Sequence, residues 1–313
     1  IGPITVNGEE LSANTVIDTI QRKVELEYDR KDNAPKKYIE DVATAFQKRL
    51  SELDSQEMLP LMQLVSDSIR QKLILAYSDD RELNDRLRTI GALGEMRSTT
   101  GDYFSLVSAN IGGEKTDRVI DRAVNIESVV SHDKRIVNRM HLVRTHNGKP
   151  GELFYGVKNN EYVRFYVPLG SRLVRAQGFV APPRVFFEAP SSQALHSESV
   201  QEYPDRMKRH PQWQVVETNE FGKTVFGGWL QLGAQSSQEV EVVYELPFEF
   251  TSAAPHTLLV QKQPGEVRTS IQYSFTLPKG ESVFSALPES LHISSEPSIA
   301  LFTQQSLTSD QLY

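Results

Sequence analysis

Residues 110–117, Asn-Ile-Gly-Gly-Glu-Lys-Thr-Asp, set two glycines beside a lysine and a threonine. These are the residue types that cradle phosphate, glycine freeing backbone N–H groups and lysine supplying charge. The spacing is not that of a phosphate loop. Lys115 follows Gly113 by two residues, and a strand is expected next. The same residues make a tight turn in which Gly supplies positive φ and Asn110 and Asp117 bond the backbone. Lys36 and Lys37 fall in the first turn of a predicted helix, where free N–H groups and the helix dipole attract an anion. His132, His141 and His146 are near one another, but no Cys or close carboxylate pair completes a ligand set. Tyr162, Phe165, Tyr166, Trp213, Phe226 and Trp229 have the rings to stack a sugar. Tyr162 and Tyr166 fall on one face of a strand and Val163, Phe165 and Val167 on the other, a pattern that also suits a central, buried strand. The chain has no Gly-x-Ser-x-Gly elbow to anchor a hydrolase triad.

The elements that position these residues change character once. Ile4 and Val6 alternate before Asn7-Gly8, a hairpin pair. Ser12 or Asn14 can cap a helix through Val16, Ile17, Ile20 and Val24. A second helix starts at Asn33-Ala34-Pro35 and carries Ile39, Val42, Phe46 and Leu50. A third follows Asp54-Ser55, with Leu59, Met62, Val65, Ile69, Leu73 and Ile74 on one stripe, and a shorter fourth opens at Asp79-Asp80. After Gly101 the period becomes two. Strands are predicted at 103–107, 119–130, 136–143, 162–167, 214–216, 224–232, 240–246, 257–261 and 269–277, with a long Pro-, Ser- and His-rich excursion at 181–211. The expectation is an α+β protein: a helical subdomain at 1–100, then a β-rich region at 101–313, strongest from about 150, built as an antiparallel, immunoglobulin-like sandwich.

The 313 residues carry a net charge of −7, which argues against non-specific binding to nucleic acid or anionic lipid. No cysteine is present, so disulfides, thiolate nucleophiles and Cys metal sites are excluded. No apolar run approaches the roughly 18 residues of a spanning helix.

Several segments resemble a bacterial family of unknown function, distantly related to the LytR-CpsA-Psr proteins that attach glycopolymers to the cell wall. They match its C-terminal half and are Gly2-Pro3-Ile4 followed by Asn14, the helix pair starting near Lys36-Lys37, Lys72 to Tyr77 before Asp79-Asp80, Asn110 to Asp117, Tyr162 to Ser171, and Val243 to Pro247 before Lys262 to Gly265. The 110–117 loop (Asn110, Gly112, Gly113, Lys115, Asp117) and Tyr162 to Ser171 are the most specific. The resemblance implies an extracytoplasmic, cell-envelope location. It also implies membrane attachment through an upstream anchor outside this chain, and a helical part that is the remnant of a LytR-CpsA-Psr-like α/β layer. In those relatives arginines grip a lipid-linked pyrophosphate. The corresponding anion-binding candidates here are Arg22, Arg30, Lys36 and Lys37. Their spacing differs, and Lys lacks the planar bidentate contact that Arg makes to phosphate.

The leading expectation is therefore a non-enzymatic module for surface structure, adhesion or envelope assembly, with no cofactor and no metal. A cell-wall glycopolymer or another envelope protein is the partner class. One alternative is part of a glycopolymer phosphotransferase acting on lipid-linked pyrophosphate. The other is a carbohydrate-binding β-sandwich.

Overall fold

The structure is a computed structural model that describes residues 2–28, 34, 36–189, 191–195, 197, 207–288, 292–295, 298–304 and 306–313. Its residues fall into two compact units, 1–70 and 71–313. This division lies 30 residues before the expected one, because the fourth helix goes with the β-rich unit.

The first unit holds a hairpin, β1 (Ile4–Val6) and β2 (Glu9–Leu11), and three helices, α1 (Val16–Glu25), α2 (Lys37–Ser51) and α3 (Ser55–Arg70). Asn7 and Gly8 both take positive φ, as the two-residue turn requires. Asp54 Oδ1 accepts from the N–H groups of Gln56 and Glu57 and so starts α3. The expected stripe is present on α3 only as far as Ile69, because the helix ends at Arg70 and leaves Leu73 and Ile74 outside it; Leu59 and Met62 are exposed and the helix buries no residue. Spacing made the helix amphipathic, yet no described element covers that face.

The second unit opens with α4 (Arg81–Thr89), capped by Asp80, whose Oδ1 accepts from Leu83 N. Among the described residues fourteen strands follow: β3 (Asp102–Asn110), β4 (Ile120–Val130), β5 (Arg135–His146), β6 (Asn159–Pro168), β7 (Arg172–Gln177), β8 (Lys208–His210), β9 (Val215–Glu220), β10 (Lys223–Leu232), β11 (Ser237–Glu249), β12 (Leu258–Val260), β13 (Thr269–Thr276), β14 (His292–Ser295), β15 (Ser298–Gln304) and β16 (Gln311–Leu312). They form two seven-stranded sheets, ordered β16-β12-β3-β6-β10-β9-β8 and β14-β15-β13-β4-β5-β11-β7. The larger apolar core draws on both: Phe104, Phe165 and Phe226 from one, Ile126, Met140 and Tyr244 from the other. Among the described residues the protein is thus a mixed α+β fold with two large sheets.

The sheets are not purely antiparallel. β12 runs parallel to β3, and β13 parallel to β4. Local alternation does not encode strand direction, so the expected all-antiparallel arrangement is corrected here. The turn predicted at 132–135 joins β4 to β5, with Lys134 at φ 63°.

Alternation sets the interior. On β4 the inward row is Ile120, Arg122, Val124, Ile126, Ser128 and Val130. On β5 it is Ile136, Asn138, Met140, Leu142, Arg144 and His146. Arg122 pairs with Arg144 across the two strands, and Ser128 with Asn138. The core therefore contains two polar layers, about six residues or roughly 20 Å apart along the strand.

Candidate functional site

The 110–117 loop closes one of these layers. Asn110 Nδ2 donates to Glu114 O at 3.1 Å, and Asn110 Oδ1 accepts from Gly113 N at 3.0 Å. Gly112 sits at φ 74°, a conformation that favours glycine. Gly113 is needed for a different reason. A Cβ there would lie 2.4 Å from Asn110 Oδ1 and 3.0 Å from the backbone of Asn159 and Asn160. Thr116 Oγ1 donates to Gly113 O and accepts from Asn159 Nδ2 at 3.0 Å. The backbone N–H of Lys115 is bonded to Phe154 O. A 3-10 turn at Thr116–Val119 follows, then β4, as the strand expectation had it.

Beneath the loop lie Arg122, Arg144 and Glu161, all essentially excluded from solvent. Arg122 Nη2 donates to Glu161 Oε1 at 2.6 Å, and Arg122 Nη1 donates to Glu266 Oε2 at 2.9 Å. Arg144 ion-pairs with Glu161 and donates to Asn159. Asp117 reaches Arg122 at 3.5 Å. Burial alone would push Glu161 up, but the two guanidiniums outweigh it and hold the carboxyl below its ordinary value. Burial works against the charge of Arg122, and Glu161 and Glu266 more than offset it. Burial dominates for Asp117, whose pKa is raised, with Glu161 adding to the effect. The cluster pairs its own charges, and the loop is tied over it where Asn159 Nδ2 donates to Thr116 Oγ1 and Asp117 Oδ1.

Other family-like segments meet elsewhere in the same unit. Lys72, at φ 56°, pairs with Asp310 at 2.7 Å, and its carbonyl accepts from Gly265 N. Lys262 is buried and donates to Gln71 O at 3.0 Å. Gln263 bonds both the N–H and the carbonyl of Ser108. Burial lowers the pKa of both lysines.

The basic candidates of the first unit are arranged differently. Arg22 ion-pairs with Glu27, and with Glu9 at 3.0 Å. Lys36 is the N-cap residue of α2 without a side-chain cap bond, and Lys37 is the first helical residue. Arg30 lies outside the described residues. No bond joins the described three into one pocket.

The aromatic residues divide. Phe165 and Phe226 are core. Tyr166 packs with Tyr103 and Val225 in a second cluster, as strand parity predicts. Trp213 stacks on His210 at 5.5 Å. Tyr162 and Trp229 pair edge-on at 5.3 Å, and Phe186 and Phe187, from the 181–211 excursion, close on Trp229 at 6.0 and 5.4 Å. Trp229 is thus met on its edges by two rings of the chain's own loop. His141 faces Glu239 at 3.3 Å, whereas His146 is buried against Val157 O at 2.9 Å. Among the described residues no group of three or more His, Cys, Asp or Glu is placed to hold a metal.

A second polar layer was not singled out from the sequence. Asp102, fully buried at the start of β3, accepts from Tyr103 N and from Asn138 Nδ2, both at 2.7 Å. Asn138 Nδ2 also donates to the Tyr244 hydroxyl at 3.2 Å. No cation pairs with Asp102 among the described residues. Burial pushes its carboxyl up to about 7. The only signal was an aspartate next to Gly101 at the point where the period changes. Asp102 N donates to Thr257 O, and Thr257 borders a cavity of about 650 Å³ between the sheets.

No family model matches the chain, and no curated protein does. Among solved structures it is similar to a candidate nutrient-binding protein of Legionella pneumophila, with TM-score 0.37, 8% identity, and coverage of 68% of this chain and 70% of that one. It is also similar to an M1 zinc metallopeptidase of Deinococcus radiodurans bound to a Tyr-Ser-Ala substrate, with TM-score 0.28, 10% identity, and coverage of 62% and 42%. Another structure of an M1 zinc metallopeptidase from Deinococcus radiodurans gives TM-score 0.27, 9% identity, and coverage of 62% and 41%. Values this low assign neither fold nor activity. No described helix is long and apolar enough to cross a membrane.

Proposed function

We propose that this chain is a non-enzymatic, extracytoplasmic module of the bacterial cell envelope, acting in surface structure, adhesion or envelope assembly. It is anchored to the membrane through an upstream segment, and its partner is a cell-wall glycopolymer or another envelope protein. The observation that carries the reading is how the family-like segments use their polar atoms. Asn110 and Thr116 bond their own loop, and Glu161 ion-pairs with both Arg122 and Arg144 beneath it. Lys72, Lys262 and Gln263 are likewise committed to backbone and to Asp310. Such residues specify a body rather than a reaction centre. In the same proposal the two-sheet unit is an elaborated immunoglobulin-like sandwich. The helical unit is the remaining part of a LytR-CpsA-Psr-like layer, a view supported by the exposed stripe of α3.

The test is incubation of full-length protein with a glycan on polyprenyl pyrophosphate. No transfer is expected. Turnover that disappears in Arg22→Ala or Lys37→Ala would establish the phosphotransferase alternative instead. A glycan-array signal lost in Trp229→Ala would favour the sugar-binding alternative. Protease treatment of intact cells is expected to cut the native protein from outside, and protection equal to that of a cytosolic marker would contradict the location.

A further inference from the structure

Asn-Gly occurs twice in the chain, at 7–8 and at 147–148. The pair carries its own chemistry, because glycine has no Cβ to hinder its backbone nitrogen. That nitrogen can attack the side-chain carbonyl carbon of the asparagine before it. The new N–C bond closes a succinimide ring, the Cγ–Nδ2 bond breaks, and ammonia leaves with the proton of the glycine N–H. Water then opens the ring at either carbonyl, giving aspartate or isoaspartate. No oxidant or reductant takes part.

The fold treats the two pairs in opposite ways. Gly148 is buried, its N–H donates to His146 Nδ1 at 3.2 Å, and a Cβ there would lie 2.2 Å from Tyr155 O. Asn147 is tied as well: its N–H donates to Val119 O at 2.9 Å and its Nδ2 to Asp121 Oδ2 at 2.7 Å. Attack there requires the nitrogen to give up its bond and a packed backbone to turn. Asn7 and Gly8, by contrast, are exposed. Beyond its chain neighbours no atom lies within 4 Å of where a Gly8 Cβ would stand, and no bond to the Gly8 N–H forms among the described residues. The flanking strands β1 and β2 have three residues each and pair only with each other, so this turn opens at little cost.

Reaction at Asn7 also cuts a tie. Asn7 Nδ2 donates to Asp41 Oδ2 at 2.9 Å and so joins the hairpin to α2. Deamidation replaces that donor with a carboxylate, and attraction becomes repulsion between like charges. Isoaspartate also lengthens the backbone, which a two-residue turn cannot absorb. The stake is the enclosed part of the first unit. Among its described residues the buried apolar side chains are Val6 and Leu11, both from this hairpin. We propose that Asn7-Gly8 is a self-modification site, whose spontaneous deamidation is a one-way, age-dependent switch that releases the β1–β2 hairpin from α2.

The test ages the full chain at mildly alkaline pH, folded and in urea, and maps its peptides by mass spectrometry, with isoaspartate read by enzymatic methyl labelling. In urea both Asn-Gly pairs should convert. In the folded chain Asn7 should convert while Asn147 stays intact. Asn7→Asp carries the product's charge on an unaltered backbone. It should speed amide hydrogen exchange of β1 and β2 about fivefold, the effect of one like-charge pair at short range in water, and leave β4 and β5 unchanged. Adding Asp41→Asn should restore slow exchange. Asn147 converting as fast as Asn7 in the folded chain, or Asn7 surviving there as long as Asn147, would overturn the modification site. Exchange in Asn7→Asp equal to wild type, or fast exchange that Asp41→Asn does not reverse, would overturn the switch.

Discussion

The two polar layers inside the sandwich lie on the same strands and obey the same parity, yet they solve burial in opposite ways. At Arg122, Arg144 and Glu161 every charge meets an opposite charge, and a polar loop seals the end. At Asp102 the carboxylate meets, among the described residues, an amide and a backbone N–H and no cation, and Asp102 N donates to Thr257, which borders a cavity. A buried carboxylate with cations stays ionised, whereas one without them takes up a proton. The first layer is therefore a fixed lock. The second is proton-labile.

The same chemical change, acid to amide, should separate the two layers most strongly. Glu161→Gln leaves two buried guanidiniums without a counter-charge and is expected to cost about 3–5 kcal/mol in urea unfolding at pH 8. Asp102→Asn removes a charge that is unfavourable to bury. At pH 8 it is expected to be within about 1 kcal/mol of wild type or more stable. Equal losses in the two variants would erase the contrast.

Their pH dependence should also differ in sign. Folding raises Asp102 from 3.8 to about 7, so the folded chain holds a proton that the unfolded chain has lost. Its contribution is fully present below pH 3.8 and is lost as pH rises through about 7. Glu161 is lowered from 4.5, so its contribution is present above pH 4.5 and is lost as pH falls through its folded value. Stability curves from pH 4 to 8 should therefore lose a downward slope in Asp102→Asn and keep it in Glu161→Gln. The slope surviving in Asp102→Asn would assign it to another group.

Smaller effects sharpen the comparison at the lid. Gly113→Ala puts a methyl group against the backbone of Asn159 and Asn160 and is expected to cost about 1–3 kcal/mol. Asn110→Ala should cost about 1–2 kcal/mol by leaving Gly113 N unpaired. Arg22→Ala, on the exposed surface of the first unit, should leave the melting temperature unchanged. A drop as large as that of Gly113→Ala would show that its ion pairs matter more than exposed pairs do.

Much of the architecture follows from local pattern. Asn7-Gly8 turns, Asp54 and Asp80 start helices, and the single change of period at Gly101 precedes β3 at Asp102. The parallel pairs β12–β3 and β13–β4 were hidden because they join segments more than 140 residues apart in sequence, and no local period records a partner. The ion cluster was half visible. Extending the alternation from Val124 and Ile126 back by two puts Arg122 inward, and Met140 and Leu142 point to Arg144 in the same way. What the pattern lacked was Glu161 on the facing sheet. The 110–117 loop was identified by its residue types, but its role as a lid depends on Asn159 and Asn160, which only the fold brings beneath it. The cavity leaves no local trace because 250–257 and 282–287, which border it, have no periodicity.

The contrast between locked and labile ends is tested most directly by carbon-13 NMR titration of the side-chain carboxyls of Asp102 and Glu161, assigned with Asp102→Asn and Glu161→Gln. The Asp102 signal should titrate with a midpoint near pH 7, and Glu161 should remain ionised at pH 4.5 and above. A midpoint for Asp102 near 4, or for Glu161 above 4.5, would contradict the account.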